Sequence, residues 1–193
     1  MLSKEPLTQI SYIQAQESSW LREFSPYISK EKTLKIGNGL GHLSEQIRTF
    51  TKELTILDIQ TYPQTINKDR VEIYEGFPIP YPDKSFETTI LVFTLHHIPQ
   101  SRHYFEEISR VTSKRIIIIE ETYDTIFQKT HLFYRDWIVN KIALQPCKLY
   151  WKSYFSRQGL NTLIKNSGLK ETYRSTRKHK TYFKELIVLD TTT

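Results

Sequence analysis

Two stretches of the sequence, Thr88–Phe93 (TTILVF) and Arg115–Glu120 (RIIIIE), are apolar at almost every position. A strand with one face in water alternates apolar and polar residues, whereas a continuous apolar run fits a strand covered on both faces, as central parallel strands are. Three more short segments, Thr33–Ile36, Leu54–Asp58 and Val71–Tyr74, also read as strands. Between the first two, Leu40–Thr51 sets Leu43, Ile47 and Phe50 along one helical face. Between Thr88–Phe93 and Arg115–Glu120, Tyr104, Phe105, Ile108 and Val111 repeat that spacing. A parallel connection must cross back over a face of the sheet, so this alternation predicts a doubly wound α/β fold. Its ligand should bind beyond the C-terminal strand ends, where the strand order reverses.

The flanking regions differ. Ile10, Ile13, Trp20, Leu21 and Phe24 suggest one or two amphipathic helices within residues 1–28. Tyr123–Lys152 is aromatic-rich and reads as mostly helical, and Ser156–Ser167 reads as a further helix stopped by Gly168. Leu169–Ser175 and Thr181–Leu189 form a predicted hairpin that adds an antiparallel edge to the sheet. At 38% hydrophobic and 25% charged residues, the 193-residue chain can build a sizeable core. No apolar run approaches the ~18 residues of a membrane span, and MLSKEPLTQI lacks the apolar stretch of a secretory signal, which predicts a cytoplasmic protein. A single cysteine, Cys147, excludes an internal disulfide framework and a Cys-rich zinc site. Residues 1–100 carry 10 Lys/Arg against 12 Asp/Glu, and residues 101–193 carry 17 against 9. That basic half could face nucleic acid, a membrane, an anionic substrate or simply solvent, and only Arg174–Lys180 clusters, at the expected hairpin turn.

Three of the six glycines, Gly37, Gly39 and Gly41, fall in LKIGNGLGHLS, after the first strand and at the start of the first helix. Such a loop lets an anionic or nucleotide-type ligand approach backbone amides closely. The spacing is G-x-G-x-G. His42 stands where a dinucleotide fingerprint needs its third small residue, and the Gly-Lys-Ser/Thr of a P-loop is absent.

With these motifs the sequence resembles the class I S-adenosylmethionine-dependent methyltransferases, in their small-molecule (type 11-like) subgroup. The likeness spans about residues 33–120 and is most specific in FPIPYPDKSFETTILVFTLHHIPQSRHYFEEISRV. It implies a Rossmann-like sheet and S-adenosyl-L-methionine as cofactor, with Gly37, Asn38, Gly39 and Gly41 against its methionine part. It further implies Asp58, 21 residues beyond Gly37, on the ribose hydroxyls. Ile59, Glu75, Gly76 and Phe77 would stand near the adenine, and Phe93 and Leu95 beside the cofactor. Asp58 could alternatively cap a helix, Glu75 could be a solvated loop carboxylate, and Phe77 could plug the core. The expected layout is one domain over residues 1–193. It has a helical cap (1–28), a cofactor-binding core (33–120), a helical lid (121–155), and a helix with an edge hairpin (156–193).

The pattern breaks in two places. The family carries an acid two residues before the first glycine, near the cofactor's ammonium, where this chain has Lys35. Lys35 could snorkel outward or pair with the cofactor's carboxylate. Thr112-Ser113-Lys114 replaces a Pro-Gly-Gly turn. His96 and His97 end the fourth strand and are the candidate bases for a protonated acceptor, one facing the cleft and one the adjoining helix. In the lid, Tyr123, Phe127, Phe133, Tyr134, Trp137, Tyr150, Trp151, Tyr154 and Phe155 suggest an apolar or aromatic acceptor pocket, although most would form core. His131, Arg135 and Lys152 could hold an anionic group. No metal is called for, and the lone Cys147 argues against thiol chemistry. The expected partner is a small-molecule acceptor rather than DNA or RNA, with a protein partner or a homodimer left open. Two alternatives accompany this reading. Lys35 suggests an impaired, methyltransferase-like binding protein, and the basic half suggests an RNA or protein methyltransferase. Against the latter, TLHHI stands where an Asn/Asp-Pro-Pro-Tyr-type motif would follow the fourth strand.

Overall fold

A computed structural model of the chain describes residues 15, 17–142 and 147–191. Its strands are β1 (Lys32–Ile36), β2 (Glu53–Asp58), β3 (Val71–Ile73), β4 (Phe86–Val92), β5 (Thr112–Tyr123), β6 (Phe155–Ser156), β7 (Lys170–Lys178) and β8 (Phe183–Asp190). They form one sheet in the order β3-β2-β1-β4-β5-β8-β7, with β6 against the end of β5. The pairs among β1–β5 are parallel, as is β5–β6, whereas β8 runs antiparallel to β5 and to β7. The helices are α1 (residues 17–24), α2 (His42–Ile47), α3 (Ser101–Val111), α4 (Ile126–Ile142) and α5 (Arg157–Asn166). This is the doubly wound, Rossmann-like sheet with an antiparallel C-terminal edge. Ile10 and Ile13, assigned to the N-terminal helix, lie outside the described residues.

The four isoleucines of β5 show why its sequence is apolar throughout. Ile116 and Ile118 pack on one face with Leu34, Ile36, Leu91 and Ile187, under Tyr104, Phe105 and Ile108 of α3 and Leu160 and Ile164 of α5. Ile117 and Ile119 pack on the other face with Ile90, Val92, Leu186 and Val188, under Trp20, Leu21 and Phe24 of α1 and Leu43 and Ile47 of α2. Each such side chain contributes about 1.5–3 kcal/mol on burial, so both faces need a helical layer.

Several boundaries differ from the sequence reading. The helix expected over Leu40–Thr51 is α2 followed by a 3-10 turn, Arg48–Phe50. β5 continues beyond Ile119 through Glu120, Glu121, Thr122 and Tyr123, where charged side chains replace isoleucines inside the molecule. The region after α4 loses regular structure at residues 147–150 before a 3-10 turn at Trp151–Ser153. Where a Pro-Gly-Gly turn was absent, α3 passes directly into β5, and Thr112 Oγ1 bonds Ile108 O (2.6 Å) and Thr89 Oγ1 (2.6 Å). The loop within FPIPYPDKSF is fixed by Arg110, which donates to Ile79 O (3.0 Å), Tyr81 O (2.8 Å) and Asp83 (2.9 Å). The conspicuous prolines of this stretch thus sit on a side-chain anchor from α3.

β1 lies between β2 and β4, so successive connections leave it in opposite directions, and the crevice opens at its C-terminal end. Because β8 is antiparallel to β5, the β7–β8 turn comes back to this same end of the sheet, Thr122 pairing with Phe183.

Candidate active site

The chain leaves β1 at Ile36 and turns through Gly37–Gly41 into α2. Gly37 has φ +76°, and a Cβ there would lie 2.5 Å from Thr94 Oγ1, so both conformation and space demand glycine. Gly41 has φ +89°, and its Cβ would fall 2.1 Å from Asn67 Oδ1. That makes Gly41 the seat of a neighbouring side chain. Asn38 accepts from Ser44 Oγ (2.7 Å) and donates to Asn67 Oδ1 (2.9 Å), tying the glycine loop to the segment after β2.

Asp58 ends β2 beside this loop. Its Oδ2 accepts from the Asn38 N–H (2.6 Å) and the Gly39 N–H (3.4 Å), and its Oδ1 accepts from the Ile59 N–H (2.7 Å). The sequence suggested that loop amides would wait for a ligand anion. Instead the chain's own carboxylate takes them, which shapes the cradle and fixes Asp58 at its rim.

A cavity of about 340 Å³ opens from this cradle. Its walls include Lys35, Gly37, Asn38, Gly39, Asp58, Ile59, Gln60, Tyr62, Tyr74 and Tyr104, with Glu17 from α1. They also include Phe93, His96, His97, Glu121, Arg135, Asp136, Val139, Asn140, Cys147, His179, Tyr182 and Lys184. Of the residues singled out from sequence, Gly37, Asn38, Gly39, Asp58, Ile59, Phe93, His96 and His97 therefore share one cavity. Gly41, Glu75, Gly76, Phe77 and Leu95 do not line it. Leu95 is fully buried in the core over the α3 face, because the chain turns inward there. Gly76 lies behind Ile59, whose Cγ2 would be 3.4 Å from a Cβ at that position, and Phe77 remains 57% exposed on the outer rim.

The aromatic lid residues also sit elsewhere. Tyr154 packs with Leu132 and Tyr182, Phe133 packs edge-on to Trp151 and Tyr154, and Phe127, Tyr134 and Trp137 are exposed. None of the nine lines the cavity; its aromatic walls are Tyr62, Tyr74, Phe93, Tyr104 and Tyr182. His131 and Lys152 are exposed and away from the walls, whereas Arg135 is in them.

The two histidines do not alternate as strand residues would. β4 ends at Val92, Phe93 adopts φ +51°, and Leu95–His97 is a 3-10 turn, which brings the imidazoles together at 4.1 Å between centroids. Their environments separate them. His96 is 3% exposed; its Nδ1 meets Glu120 Oε1 at 2.5 Å and its Nε2 lies 3.7 Å from Asp136 Oδ2. Burial alone would depress its pKa, but the charges of Glu120, Asp136 and Glu121 outweigh burial and push it up to about 9. His97 is held well below 6.5 by burial and by the neighbouring charge of His96, so at neutral pH it is an uncharged imidazole.

Behind these rings lies a buried ionic cluster that the sequence did not suggest. Despite the cost of its burial, Glu121 is held at about 2, chiefly by Arg135, which grips it through both terminal nitrogens, and then by Lys184 at 3.3 Å. Arg135 also bonds Asp136 and the Tyr182 hydroxyl, and Tyr154 Oη donates to Asp136 Oδ2 (2.6 Å). The basic hairpin is likewise used internally. Arg174 pairs with Glu171 and Glu185, Arg177 pairs with Glu23, and the Arg177 guanidinium stacks 3.6 Å from the Trp20 ring centroid. Only Lys178 and Lys180 of that cluster, besides Thr176, are exposed.

Lys35 does not snorkel. It is 2% exposed, and its Nζ donates to Ile36 O (3.2 Å) and Gly37 O inside the cavity wall. Burial lowers its pKa, opposed by the negative charges of Glu17 and Asp58, while burial raises that of Glu17, opposed by the charge of Lys35. Glu17 carried no sequence signal, since it stands 18 positions before Lys35 on a separate element.

No helix of the described residues is long and apolar enough to cross a membrane, and no group of three or more His, Cys, Asp or Glu among them could hold a metal ion. Residues 34–119 match a family model described as a methyltransferase domain. No curated protein matches the chain by sequence. Similar solved structures include a SAM-dependent methyltransferase from Aquifex aeolicus, with TM-score 0.58 and 15% identity over 91% of this chain and 89% of that one. Geranyl diphosphate C-methyltransferase from Streptomyces coelicolor A3(2), solved with Mg²⁺, geranyl diphosphate and S-adenosyl-L-homocysteine, superposes with TM-score 0.66 at 12% identity, over 98% and 86%. The methyltransferase in a complex with the Haloferax volcanii Trm112 methyltransferase activator gives TM-score 0.66 at 10% identity, over the whole of both chains. Residues 34–119 thus carry the match to the methyltransferase domain, and the chain as a whole shares its fold with SAM-dependent methyltransferases.

Proposed function

We propose that the protein transfers a methyl group to a small, apolar or aromatic acceptor whose reacting oxygen or nitrogen carries a proton. The observation that carries this reading is the single continuous cavity, joining the Gly37–Gly39/Asp58 cradle to His97. Gly37, Asn38, Gly39 and Asp58 would hold the cofactor's methionine and ribose parts, with Ile59 beside its base. When bound there, S-adenosyl-L-methionine supplies an electrophilic methyl on a sulfonium. The residues' own work is to orient the acceptor, exclude water and take its proton.

His97 suits the last task. Its low pKa keeps a ring lone pair available at neutral pH, and a backbone hydrogen bond from the ring to Lys148 fixes its orientation. His96, already protonated, cannot accept a proton; it positions His97 and keeps it uncharged. Tyr62, Phe93, Tyr104, Tyr182 and Val139 supply apolar walls. A small-molecule acceptor is further supported by the pairing of Arg174 and Arg177 within the protein, which withdraws them from any nucleic-acid face.

A second reading, a protein that binds the nucleoside without turnover, is motivated by buried Lys35. Formation of S-adenosyl-L-homocysteine, followed by mass spectrometry with a panel of phenols and amines, separates the two. The enzyme reading expects turnover that falls ~10²–10⁴-fold in His97→Gln with unchanged cofactor affinity. Cofactor binding with no product from any acceptor favours the second reading, and equal turnover in His97→Gln removes the base.

A further inference from the structure

We infer that Glu17, on α1, completes the subsite for the amino-acid end of the methyl donor, acting together with Lys35 as a charge-matched pair; this rests on the cofactor reading above. Lys35 shares a sheet face with its β4 neighbour Ile90, which packs in the core beneath α1. On α1, positions 17, 20, 21 and 24 fall on one helical face, and Trp20, Leu21 and Phe24 of that face are buried against the sheet. Packing of α1 therefore aims Glu17 at the C-terminal end of β1, and Glu17 and Lys35 line the same cavity as Gly37–Gly39.

A buried ammonium in β1 would be costly without a counter-charge. The cavity-lining acids whose charge reaches Lys35 are Glu17 and Asp58, and Asp58, tied to the amides of Asn38, Gly39 and Ile59, is the acid proposed for the ribose. That leaves Glu17 as the carboxylate free to answer a ligand ammonium. An α-amino-acid end carries one ammonium and one carboxylate. Glu17 can accept from the former and Lys35 can donate to the latter, so the pair matches the ligand in both sign and number. Moving the acid from strand to helix makes this subsite depend on the packing of α1, which a carboxylate on β1 would not.

The test is calorimetric titration of the full chain with two nucleosides. S-adenosyl-L-homocysteine has the amino-acid end, and 5′-deoxy-5′-methylthioadenosine lacks it. Glu17→Gln should weaken the first by about tenfold to a hundredfold, the loss of a charge-assisted hydrogen bond, and leave the second unchanged. Equal weakening of both, or of neither, overturns the inference. Wild-type protein that binds neither nucleoside refutes the cofactor reading and this inference with it. Thermal unfolding guards against a trivial loss of fold. If Glu17→Gln fails to fold, the exchanged variant Glu17→Lys/Lys35→Glu keeps the pair and should fold and retain S-adenosyl-L-homocysteine binding. Failure of the exchanged variant to regain either overturns the pairing.

Discussion

Replacing Glu120 by Gln tests how the two histidines are set apart. In the native protein His96 titrates at about 9, against an ordinary value of 6.5, because its Nδ1 meets Glu120 at 2.5 Å inside a dry core. A histidine whose pKa rises on folding stabilises the fold fully below the unfolded value, and that contribution disappears as pH climbs through the folded one. The window therefore runs from 6.5 to about 9. At about 1.4 kcal/mol for each tenfold change in proton affinity, the contribution is worth about 3 kcal/mol. Glu120→Gln removes the largest of the three raising charges and leaves those of Asp136 and Glu121, so the His96 proton affinity falls and the window narrows. The substitution also disturbs packing, and Glu120 Oε2 has no hydrogen-bond partner to offer the new amide, but that cost does not vary with pH. Urea unfolding of both proteins at about pH 6 and about pH 10 isolates the term. The stability advantage of the wild type should shrink by up to about 3 kcal/mol across that range. Lys35, Glu17 and the other titrating groups cancel in the difference. A constant advantage would refute the charged state of His96, and with it the reason His97 stays neutral.

Two further outcomes follow from the cradle. Asp58→Asn removes the charge that holds the Asn38 and Gly39 amides, at about 1.5–3 kcal/mol for a hydrogen bond to an ionised group. Titration should show S-adenosyl-L-homocysteine binding weakened tenfold or more, and unchanged affinity would remove Asp58 from the site. Gly37→Ala puts a Cβ 2.5 Å from Thr94 Oγ1 at φ +76°. Thermal unfolding should reveal a loss of about 1–3 kcal/mol that Thr94→Ala only partly relieves, because the backbone strain persists. Full relief would mean that space alone selected glycine.

Much of the architecture is legible in residue order. The uninterrupted Ile116–Ile119 run fits a strand with both faces covered, and the two clusters on either side of the sheet claim its isoleucines alternately. Tyr104, Phe105, Ile108 and Val111 form the buried face of α3 at the spacing they have in the sequence. Local chemistry also marks where a loop must close tightly, as at Gly37, and Asp58 stands beside it because one strand–helix–strand step brings it there. Where the reading failed, the cause was a local rule extended past its element. Strand alternation was applied to His96 and His97, but β4 has already ended and φ +51° at Phe93 has redirected the chain. Most of the lid aromatics form core or face solvent, as expected for the majority, but the few expected to face the cleft do not line it.

The sequence by itself determined the periodicities, the order of strands and helices, and the tight turn, because each depends on residues a few positions apart. Tertiary structure decided the charges in the cavity. Glu17 comes to share a cavity with Lys35, Glu120 and Asp136 meet His96, and Lys184 and Arg135 meet Glu121 only after separate elements pack against one sheet. Electrostatic energy depends on separation in space and on exclusion of water. Neither quantity exists along an extended chain.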